Sequence, residues 1–409
     1  YMKHIIILAD GMADHAVAHL GGLTPLQYAD TPYMDMLAKK GKTGRLQTIP
    51  KGFYPGSEVA NTAILGYDLN QVYEGRGPLE AASIGYELKA DDLALRCNFI
   101  TIRDGKIENH HGGHLDTKES EVLIDYLNQK LGNEQIRFVT GTQYRNLLII
   151  KGGNKHIFCV GPHDHPNEPW QPLLTRPESN FQEASTTRMS PQQTADLLNH
   201  LVKESQKLLS NHPFNKDRSI PANSIWPWGG GYRPAMKPLR TIFPQIKRGS
   251  VISAVDLIKG IGHYAGLDVV NVPRVTGTAY TNYEGKTQAA LNELYNKDFV
   301  FLHLEATDEA GHDGDLQLKL QAIDALEHRV VEPIYREIRQ WEEPVCMAIL
   351  PDHPTPVEIR THVDEPVPFL IWHKGILPDD VQVYDETSCS LGSYGLLHLS
   401  EFMNAFMKE

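Results

Sequence analysis

Residues 3–11 read KHIIILADG, an apolar run that is followed at once by an aspartate and a glycine. Five consecutive apolar residues, Ile5 to Ala9, show no polar alternation. They predict a strand buried on both faces, which is typical of a parallel sheet covered by helices. Asp10 is therefore expected at the carboxyl end of a strand, the edge at which open α/β sheets bind their ligands.

The last part of the chain repeats this pattern. From about residue 249 onward, apolar segments such as FVFLHL and VCMAIL alternate with segments of helical spacing, including a long helix expected over 316–341. Strands that alternate with helices predict a mostly parallel α/β sheet with helices on both faces.

The middle of the chain has a different character. Residues 88–244 contain β-rich segments, one segment of helical spacing, and a polar stretch at 176–189 that predicts an exposed loop. We therefore expect a smaller α+β domain, 88–244, inserted into a discontinuous catalytic domain formed by residues 1–87 and 245–409.

Composition excludes several classes of protein. The chain has 409 residues, 41% of them hydrophobic, and a formal net charge of −12. This acidic balance argues against nucleic-acid binding, and no apolar segment approaches the roughly 20 residues that span a membrane. The early first strand leaves no room for a signal peptide, and four scattered cysteines suit reduced thiols, so a cytoplasmic enzyme is expected. Nothing in the sequence indicates an oligomeric state.

Acidic and histidine side chains follow the predicted strands. Taken singly, an aspartate before glycine is typical of a turn, and Asp308 with His312 could be an ordinary exposed i, i+4 pair. A lone His362 would be structural more often than functional. Together they form a set of carboxylates and imidazoles that suits Zn²⁺ or Mn²⁺. The set comprises Asp10, Asp308, His312, Asp352, His353 and His362.

Ser57 allows two interpretations. In PGSEVANTAILGY, residues 55–67, it stands between turn residues and a segment of helical spacing, so it could be a helix N-cap. It could instead be a nucleophile at a helix N-terminus, where backbone amides favour phosphate. Metal coordination activates a serine hydroxyl, and paired metal ions about 4 Å apart clamp an in-line displacement. The number of candidate ligands favours the nucleophile.

Several segments, taken together, resemble one family. ADGM, PGSEVANTAILGYD, GRGPLEAASIGYEL, EATDEAGHDGD, PDHPTP and RTHVDEPVPF occur in this order over nearly the whole chain. They are similar to segments of the cofactor-independent phosphoglycerate mutases of the archaeal type, within the alkaline phosphatase superfamily. The resemblance implies an alkaline-phosphatase-like catalytic domain and an inserted domain that closes over the substrate.

The resemblance also implies a reaction and a ligand set. Ser57 would become phosphoserine while 3- and 2-phosphoglycerate interconvert in glycolysis without 2,3-bisphosphoglycerate. The implied cofactors are two divalent ions, with Mn²⁺ favoured and Mg²⁺ or Zn²⁺ as alternatives. One ion would be held by Asp308, His312 and His362, and the other by Asp10, Ser57, Asp352 and His353.

Candidate substrate-binding residues rest on fewer observations. A phosphate ester that carries a carboxylate calls for arginine and lysine partners. Arg145, in the inserted domain, and Lys259, in the catalytic domain, are candidates, although each could be a solvated surface charge. His163 and Asp164, in GPHDH, match a loop of the family.

Two segments depart from the family. ENHHGGHL carries His110, His111 and His114 where the mutases have an arginine-bearing segment, and SIWPWGGGYRPAM replaces another arginine-bearing segment. Both resemble a subgroup proposed to form homoserine phosphate in threonine biosynthesis. The three histidines are candidates for lining that pocket, and a polar loop or a metal-binding patch are the alternatives. A metal-dependent phosphatase and a non-catalytic metabolite-binding protein are further hypotheses.

Overall fold

The computed structural model describes residues 1–178 and 187–409. Its strands are β1 (Lys3–Ala9), β2 (Lys42–Gln47), β3 (Asp92–Arg103), β4 (Lys106–Asn109), β5 (Ile136–Thr142), β6 (Arg145–Lys151), β7 (Ile157–Phe158), β8 (Arg176–Pro177), β9 (Ser224–Gly231), β10 (Gly249–Ile252), β11 (Asp268–Val269), β12 (Phe299–Leu304), β13 (Val345–Leu350), β14 (Val367–Trp372) and β15 (Leu396–His398).

The α-helices are α1 (Pro25–Tyr28), α2 (Pro32–Lys40), α3 (Ser57–Ile64), α4 (Leu69–Val72), α5 (Arg76–Ser83), α6 (Thr117–Leu131), α7 (Pro191–Ser210), α8 (Pro213–Lys216), α9 (Leu239–Ile242), α10 (Asp256–Tyr264), α11 (Tyr283–Asn296), α12 (Ala306–His312), α13 (Leu316–Leu326), α14 (Glu332–Ile338) and α15 (Glu401–Lys408). Within the described residues, no helix combines the length and apolar character needed to cross a membrane.

The chain forms two compact units. The first comprises Tyr1–Tyr73 and Ala235–Glu409, and the second comprises Glu74–Pro234. The divisions fall before the expected boundaries at 87/88 and 244/245. The first boundary lies before residue 87 because α5 packs against β3 and β9 and so belongs to the second unit. The other boundary lies before residue 244 because α9 belongs to the first unit, where the Leu239 amide donates a 2.8 Å hydrogen bond to the Ala265 carbonyl.

The first unit contains an eight-stranded sheet in the order β11-β10-β12-β1-β13-β14-β2-β15. The five strands from β11 to β13 are mutually parallel, β14 is antiparallel to both its neighbours, and β15 is parallel to β2. Every residue of β1, β12, β13 and β14 is buried, so both faces of these strands are covered. The prediction of a mostly parallel α/β sheet is confirmed.

The helix predicted over 316–341 is interrupted. A π-helical turn, Glu327–Val331, separates α13 from α14. Pro333 lies just after it and lacks the amide hydrogen that an unbroken α-helix would use. The Glu327 carboxylate accepts hydrogen bonds of 2.8 and 2.9 Å from the backbone amides of Tyr33 and Met34 in the first turn of α2. The turn thus supplies a cap to a neighbouring helix.

The second unit is an α+β structure by itself. Strand β3 pairs antiparallel with β4, β6 and β9, β6 also pairs with β5, and β7 pairs with β8. Helix α6 packs against β5, and α7 packs against β9 and β8. Within the stretch predicted as a loop at 176–189, residues 176 and 177 form β8, and 179–186 lie outside the described residues.

Candidate active site

Three aspartates of the first unit converge at one edge of the sheet. Asp10 follows β1, Asp308 lies in α12 just after β12, and Asp352 follows β13 after one proline. Because β12, β1 and β13 are adjacent and parallel, their carboxyl ends meet at the same edge. The Gly11 amide donates a 3.0 Å hydrogen bond to Asp352 Oδ1.

Gly11 is required by this convergence. Its φ is +65°, and a Cβ atom at this position would lie 2.7 Å from Asp308 Oδ1 and 2.5 Å from Thr355 Oγ1. Only glycine adopts this conformation readily and leaves the space that the two side chains occupy. The strand-end turn therefore brings the Asp308 carboxylate against the backbone that follows Asp10.

Ser57 is the first residue of α3, and Gly56 occupies the N-cap position. The side chain of Ser57 therefore does not serve as the N-cap. Its Oγ lies 3.3 and 3.2 Å from the two carboxylate oxygens of Asp10 and 3.0 Å from His353 Nε2. The hydroxyl thus faces the aspartate and histidine side chains.

Asn61 links Ser57 to a third strand end. Its Nδ2 donates a 2.8 Å hydrogen bond to the Ser57 carbonyl and a 3.0 Å hydrogen bond to Asp352 Oδ2. Asn61 lies one helical turn after Ser57 and is fully buried. This residue was not among the sequence candidates, and its helical spacing from Ser57 is the signal that could have found it.

Two histidines lie beside the Asp308 carboxylate. His312 Nε2 lies 3.3 Å from Asp308 Oδ2, and His362 Nε2 lies 3.0 Å from Asp308 Oδ1. The His353 and His362 rings face each other with centroids 3.7 Å apart. The structure thus brings together all seven residues that the sequence singled out as metal ligands.

The hydrogen bonds of the histidines suit a cation. His362 Nδ1 faces the Pro55 carbonyl at 2.6 Å, and His312 Nδ1 faces the Arg360 carbonyl at 3.2 Å. Carbonyl oxygens only accept, so each Nδ1 carries a proton, and in a singly protonated ring the lone pair on Nε2 faces Asp308. This is the usual arrangement around metal-binding histidines, whose second nitrogen donates to a carbonyl.

Within the described residues, two groups of side chains bring their ligand atoms close enough together to hold a metal ion. One group is Asp308, His353 and His362; the other is Asp10, His303 and Asp352. The donors are carboxylate oxygens and imidazole nitrogens, which divalent Mn²⁺ and Zn²⁺ accept. The residues present therefore fit a pair of divalent ions.

The charges of the cluster depend strongly on one another. Burial and the charge of Asp10 raise the pKa of Asp352 well above its usual range. Burial alone would lower the pKa of His353, but the carboxylates of Asp352 and Asp10 outweigh it and raise the pKa to about 10. Three buried carboxylates at one edge need compensating positive charge, which protonated histidines or cations supply.

Comparison with known proteins identifies the family. The sequence profile described as 2,3-bisphosphoglycerate-independent phosphoglycerate mutase matches residues 38–215. A Methanosarcina acetivorans protein named 2,3-bisphosphoglycerate-independent phosphoglycerate mutase is 44% identical over 415 aligned positions that cover all of both chains. The chain belongs to this family. The resemblance seen in the sequence is confirmed.

Other relatives agree. The Methanothermobacter thermautotrophicus protein named 2,3-bisphosphoglycerate-independent phosphoglycerate mutase 2 is 43% identical, with 99% of this chain and 97% of that protein covered. A cofactor-independent phosphoglycerate mutase structure from Thermoplasma acidophilum is 26% identical, with a TM-score of 0.70 and coverage of 100% and 99%. A Pyrococcus horikoshii structure reaches a TM-score of 0.81 at 30% identity, covering 100% and 97%.

Most of the candidate substrate residues of the second unit lie in one histidine cluster. It comprises His110, His111, His114 and His163. The His111 and His114 rings stack with centroids 3.7 Å apart, and the His110 ring lies 6.2 Å from the His163 ring. Asp164 lies beside His163, with 3.5 Å between Oδ1 and Nε2. Burial and neighbouring histidine charges lower the pKa of His110 and His111.

Arg145 borders the histidine cluster. It begins β6, its guanidinium lies 5.7 Å from the centroid of the Tyr144 ring, and its Nε is buried without a hydrogen-bond partner. The Tyr144 ring lies 5.7 Å from the His110 ring. The side chains that the sequence proposed for this unit are thus neighbours, while their role in substrate binding stays a prediction.

Lys259 lies in α10 of the first unit. It lines a cavity of about 90 Å³ together with Ser253 and Asn271. The second lysine of this region, Lys286, was not among the candidates. Its Nζ donates a 3.2 Å hydrogen bond to the His303 carbonyl, and burial lowers its pKa to about 8 although Glu305 raises it.

Glu305 and His303 were also missed by sequence reasoning. Burial, with the charges of Asp10 and Asp308, raises the pKa of Glu305 to about 8. His303 lies within β12 and its Nε2 is 2.8 Å from Asp10 Oδ2. A histidine and a glutamate in the otherwise apolar segment FVFLHLE are the sequence signal that could have found them.

Proposed function

We propose that the chain is a 2,3-bisphosphoglycerate-independent phosphoglycerate mutase that interconverts 3- and 2-phosphoglycerate through a phosphoserine at Ser57. One observation carries the proposal. The Ser57 hydroxyl, at the start of α3, lies within 3.3 Å of both Asp10 carboxylate oxygens and His353 Nε2. Family membership supplies the substrate class.

Seven residues would hold two divalent ions. Asp308, His312 and His362 are proposed for one, and the other takes Asp10, Ser57, Asp352 and His353. When bound, the ions lower the pKa of the serine hydroxyl and neutralise charge on the transferring phosphoryl group. Mn²⁺ is the proposed metal because the resemblance to the family favours it, and carboxylate oxygens with imidazoles suit Mn²⁺ as well as Zn²⁺.

The first step uses Ser57 as the nucleophile. Its Oγ forms a bond to phosphorus, the bond between phosphorus and O3 of 3-phosphoglycerate breaks, and O3 takes up the proton that Ser57 gives up. The first intrahelical hydrogen bond of α3 runs from the Ala60 amide to the Gly56 carbonyl. We propose that the helix N-terminus, where Ser57 stands, favours the negatively charged phosphate through the helix dipole.

The second step returns the phosphoryl group to the bound glycerate. The O2 hydroxyl attacks phosphorus, the Ser57 Oγ bond to phosphorus breaks, and the serine regains a proton. Water must be kept from phosphoserine during this interval, or the enzyme becomes a phosphatase. Arg145, Lys259, His163 and Asp164 are proposed to hold the glycerate.

An enolase-coupled assay tests the proposal. The purified chain receives 3-phosphoglycerate and Mn²⁺, with 2,3-bisphosphoglycerate omitted, and phosphoenolpyruvate is followed by its absorbance. We expect steady formation. Because enolase itself needs a divalent ion, metal dependence is measured without it, by ³¹P NMR of the conversion to 2-phosphoglycerate, which should stop when EDTA is added and resume with excess Mn²⁺. A parallel phosphate assay measures hydrolysis, which we expect to be a minor fraction of turnover.

Two other outcomes would overturn the proposal. Release of phosphate from 3-phosphoglycerate without phosphoenolpyruvate would identify a phosphatase. No turnover by folded, metal-loaded protein would direct attention to homoserine as the phosphate acceptor, the alternative raised by His110, His111 and His114. That alternative is assayed by homoserine phosphate formation with a panel of phosphorylated donors.

A further inference from the structure

His303 occupies an unusual position for a histidine. It lies within the apolar strand β12 and is fully buried. Its Nε2 is 2.8 Å from Asp10 Oδ2, and its Nδ1 is 3.0 Å from Ser253 Oγ. The Lys286 ammonium donates to its backbone carbonyl. Both ring nitrogens and the carbonyl oxygen are therefore engaged.

The hydrogen-bond partners of His303 indicate which of its ring nitrogens carries the proton. The Val255 amide donates to Ser253 Oγ at 2.9 Å. The contact with the Asp10 carboxylate requires a hydrogen on His303 Nε2, and Nδ1 of a singly protonated ring then accepts from the Ser253 hydroxyl. That proton faces Asp10, whose ionised carboxylate only accepts. With the proton on Nε2, the Val255 amide, the Ser253 hydroxyl and His303 Nε2 each donate to an acceptor.

Two roles are compatible with the place of His303 beside Asp10 and Asp352. As a metal ligand, Nε2 would have to give its lone pair to the ion and could not carry a proton. As a donor to Asp10 Oδ2, it would restrict rotation of that carboxylate about its side-chain bonds. Ligand-orienting hydrogen bonds of this kind recur around metal sites.

We infer that His303 is a positioning residue, held by Ser253 in the Nε2-protonated tautomer, which orients the Asp10 carboxylate toward Ser57 and is not a metal ligand. This inference rests on the proposed metal-dependent phosphoryl transfer at the same cluster. The orientation matters because both Asp10 oxygens lie within 3.3 Å of Ser57 Oγ. A rotated carboxylate would displace the nucleophile.

Tautomer assignment tests the inference on the unaltered protein. Protein labelled with ¹⁵N in its histidine rings is loaded with diamagnetic Zn²⁺, which accepts imidazole ligands, and ring-nitrogen signals are recorded by NMR. His303→Gln assigns the residue by the loss of its signals. We expect a protonated Nε2 and an unprotonated Nδ1 at His303. An unprotonated Nε2 in the metal-loaded protein would overturn the inference.

Mn²⁺ binding separates the two roles independently. Free Mn²⁺ is measured by electron paramagnetic resonance during titration of wild type, His303→Ala and His303→Gln. We expect both variants to keep two ions per chain, with affinity about 10- to 100-fold weaker in His303→Ala and largely restored in His303→Gln, whose amide can donate to Asp10. Loss of one ion in His303→Ala would show that His303 is a ligand.

Turnover and a matched control complete the test. His303→Ala and Ser253→Ala should lower kcat for 3-phosphoglycerate, with KM changed less than kcat, because the effect falls on the nucleophile and not on substrate binding. His4→Leu replaces another buried histidine, which precedes the carboxyl end of β1 by five residues, and should leave Mn²⁺ affinity unchanged. If His4→Leu lost as much Mn²⁺ affinity as His303→Ala, general destabilisation would explain the loss in both variants, and the inference would be overturned.

Failure of the proposed function gives a different pattern. Wild type without mutase activity but with normal Mn²⁺ binding and a protonated His303 Nε2 would refute the substrate assignment alone. Wild type that is active but shows an unprotonated Nε2 would refute only the positioning role.

Discussion

His312 Nε2 and His362 Nε2 lie 2.9 Å apart. Both rings direct Nδ1 to a backbone carbonyl, so the two facing nitrogens present lone pairs to each other when the rings are neutral. Such a contact is repulsive unless a proton or a metal ion lies between the nitrogens and the Asp308 carboxylate. This pair therefore requires a positive charge, either a proton or a metal ion, beside Asp308.

Replacing one of these histidines should remove a metal ion. In His362→Ala we expect the content after Mn²⁺ loading and desalting to fall from two ions per chain to about one, because a three-ligand protein site loses one ligand. Inductively coupled plasma mass spectrometry measures the content. His19→Ala, at an exposed histidine, serves as the control and should retain both ions. Unchanged stoichiometry in His362→Ala would mean that the ligands are misassigned.

Ser57→Ala should abolish turnover without emptying the metal centre. The nucleophile is removed, so kcat should fall by on the order of 10³-fold or more, while Asp10, Asp352 and His353 remain to bind the second ion. Ser400→Ala is the control, since Ser400 also lies at a helix N-terminus, as the N-cap of α15, and makes no side-chain capping hydrogen bond. Activity of Ser57→Ala near that of wild type would eliminate the covalent route.

A buried ion pair supports the turn that follows Asp10. Lys319 Nζ lies 2.9 Å from Asp14 Oδ2 and donates a 2.9 Å hydrogen bond to the Thr355 carbonyl, and both charged side chains are buried. Removing one partner leaves the other charge buried and unpaired. Lys319→Met should therefore lower the free energy of unfolding by about 3–5 kcal/mol, as measured by urea denaturation.

The double variant Lys319→Met with Asp14→Asn is the informative comparison. Because the amide is uncharged, most of the loss should be recovered, and the remainder reports the hydrogen bonds. Arg336→Met, which breaks an exposed ion pair with Glu332, should lower the free energy of unfolding far less, because solvent screens exposed charges. A double variant no more stable than Lys319→Met would show that the charge of Asp14 is not the cause.

His4 should make the protein less stable in acid. Burial lowers its pKa from 6.5 to about 4, so the folded state binds fewer protons than the unfolded state between these values. The free energy of unfolding should therefore fall as the pH drops from 6.5 toward 4, by up to about 3 kcal/mol from this residue. His4→Leu should flatten this part of the stability profile, measured by denaturation at each pH. An unaltered profile would contradict the assigned shift.

The sequence predicts where the strands end, but it does not predict which strands lie next to each other. Asp10 and Asp352 each follow an apolar run, so their place at the edge of the sheet could be predicted. His303 lies inside such a run, and nothing local reveals that the neighbouring strand brings Asp10 to its Nε2. Its importance depends on the order β12-β1-β13, which the pattern of strands and helices does not specify.

For the same reason, the sequence did not predict the exact boundaries of the two units. Residues 76–83 have helical spacing, but their sequence does not say which sheet the helix packs against. The close approach of Gly77 to the Ala94 carbonyl, where a Cβ would lie at 2.4 Å, places this helix against β3. Pairings between residues far apart in the chain thus decide what periodicity leaves open.

The stereochemistry at phosphorus is the most direct test of the central claim, that the phosphoryl group passes through Ser57. 3-Phosphoglycerate carrying a phosphate made chiral with three oxygen isotopes is converted by the enzyme, and the configuration of the 2-phosphoglycerate is determined by ³¹P NMR. Each in-line displacement inverts phosphorus, so two successive transfers through the serine predict net retention. Net inversion would mean a single direct transfer and would contradict the phosphoserine route.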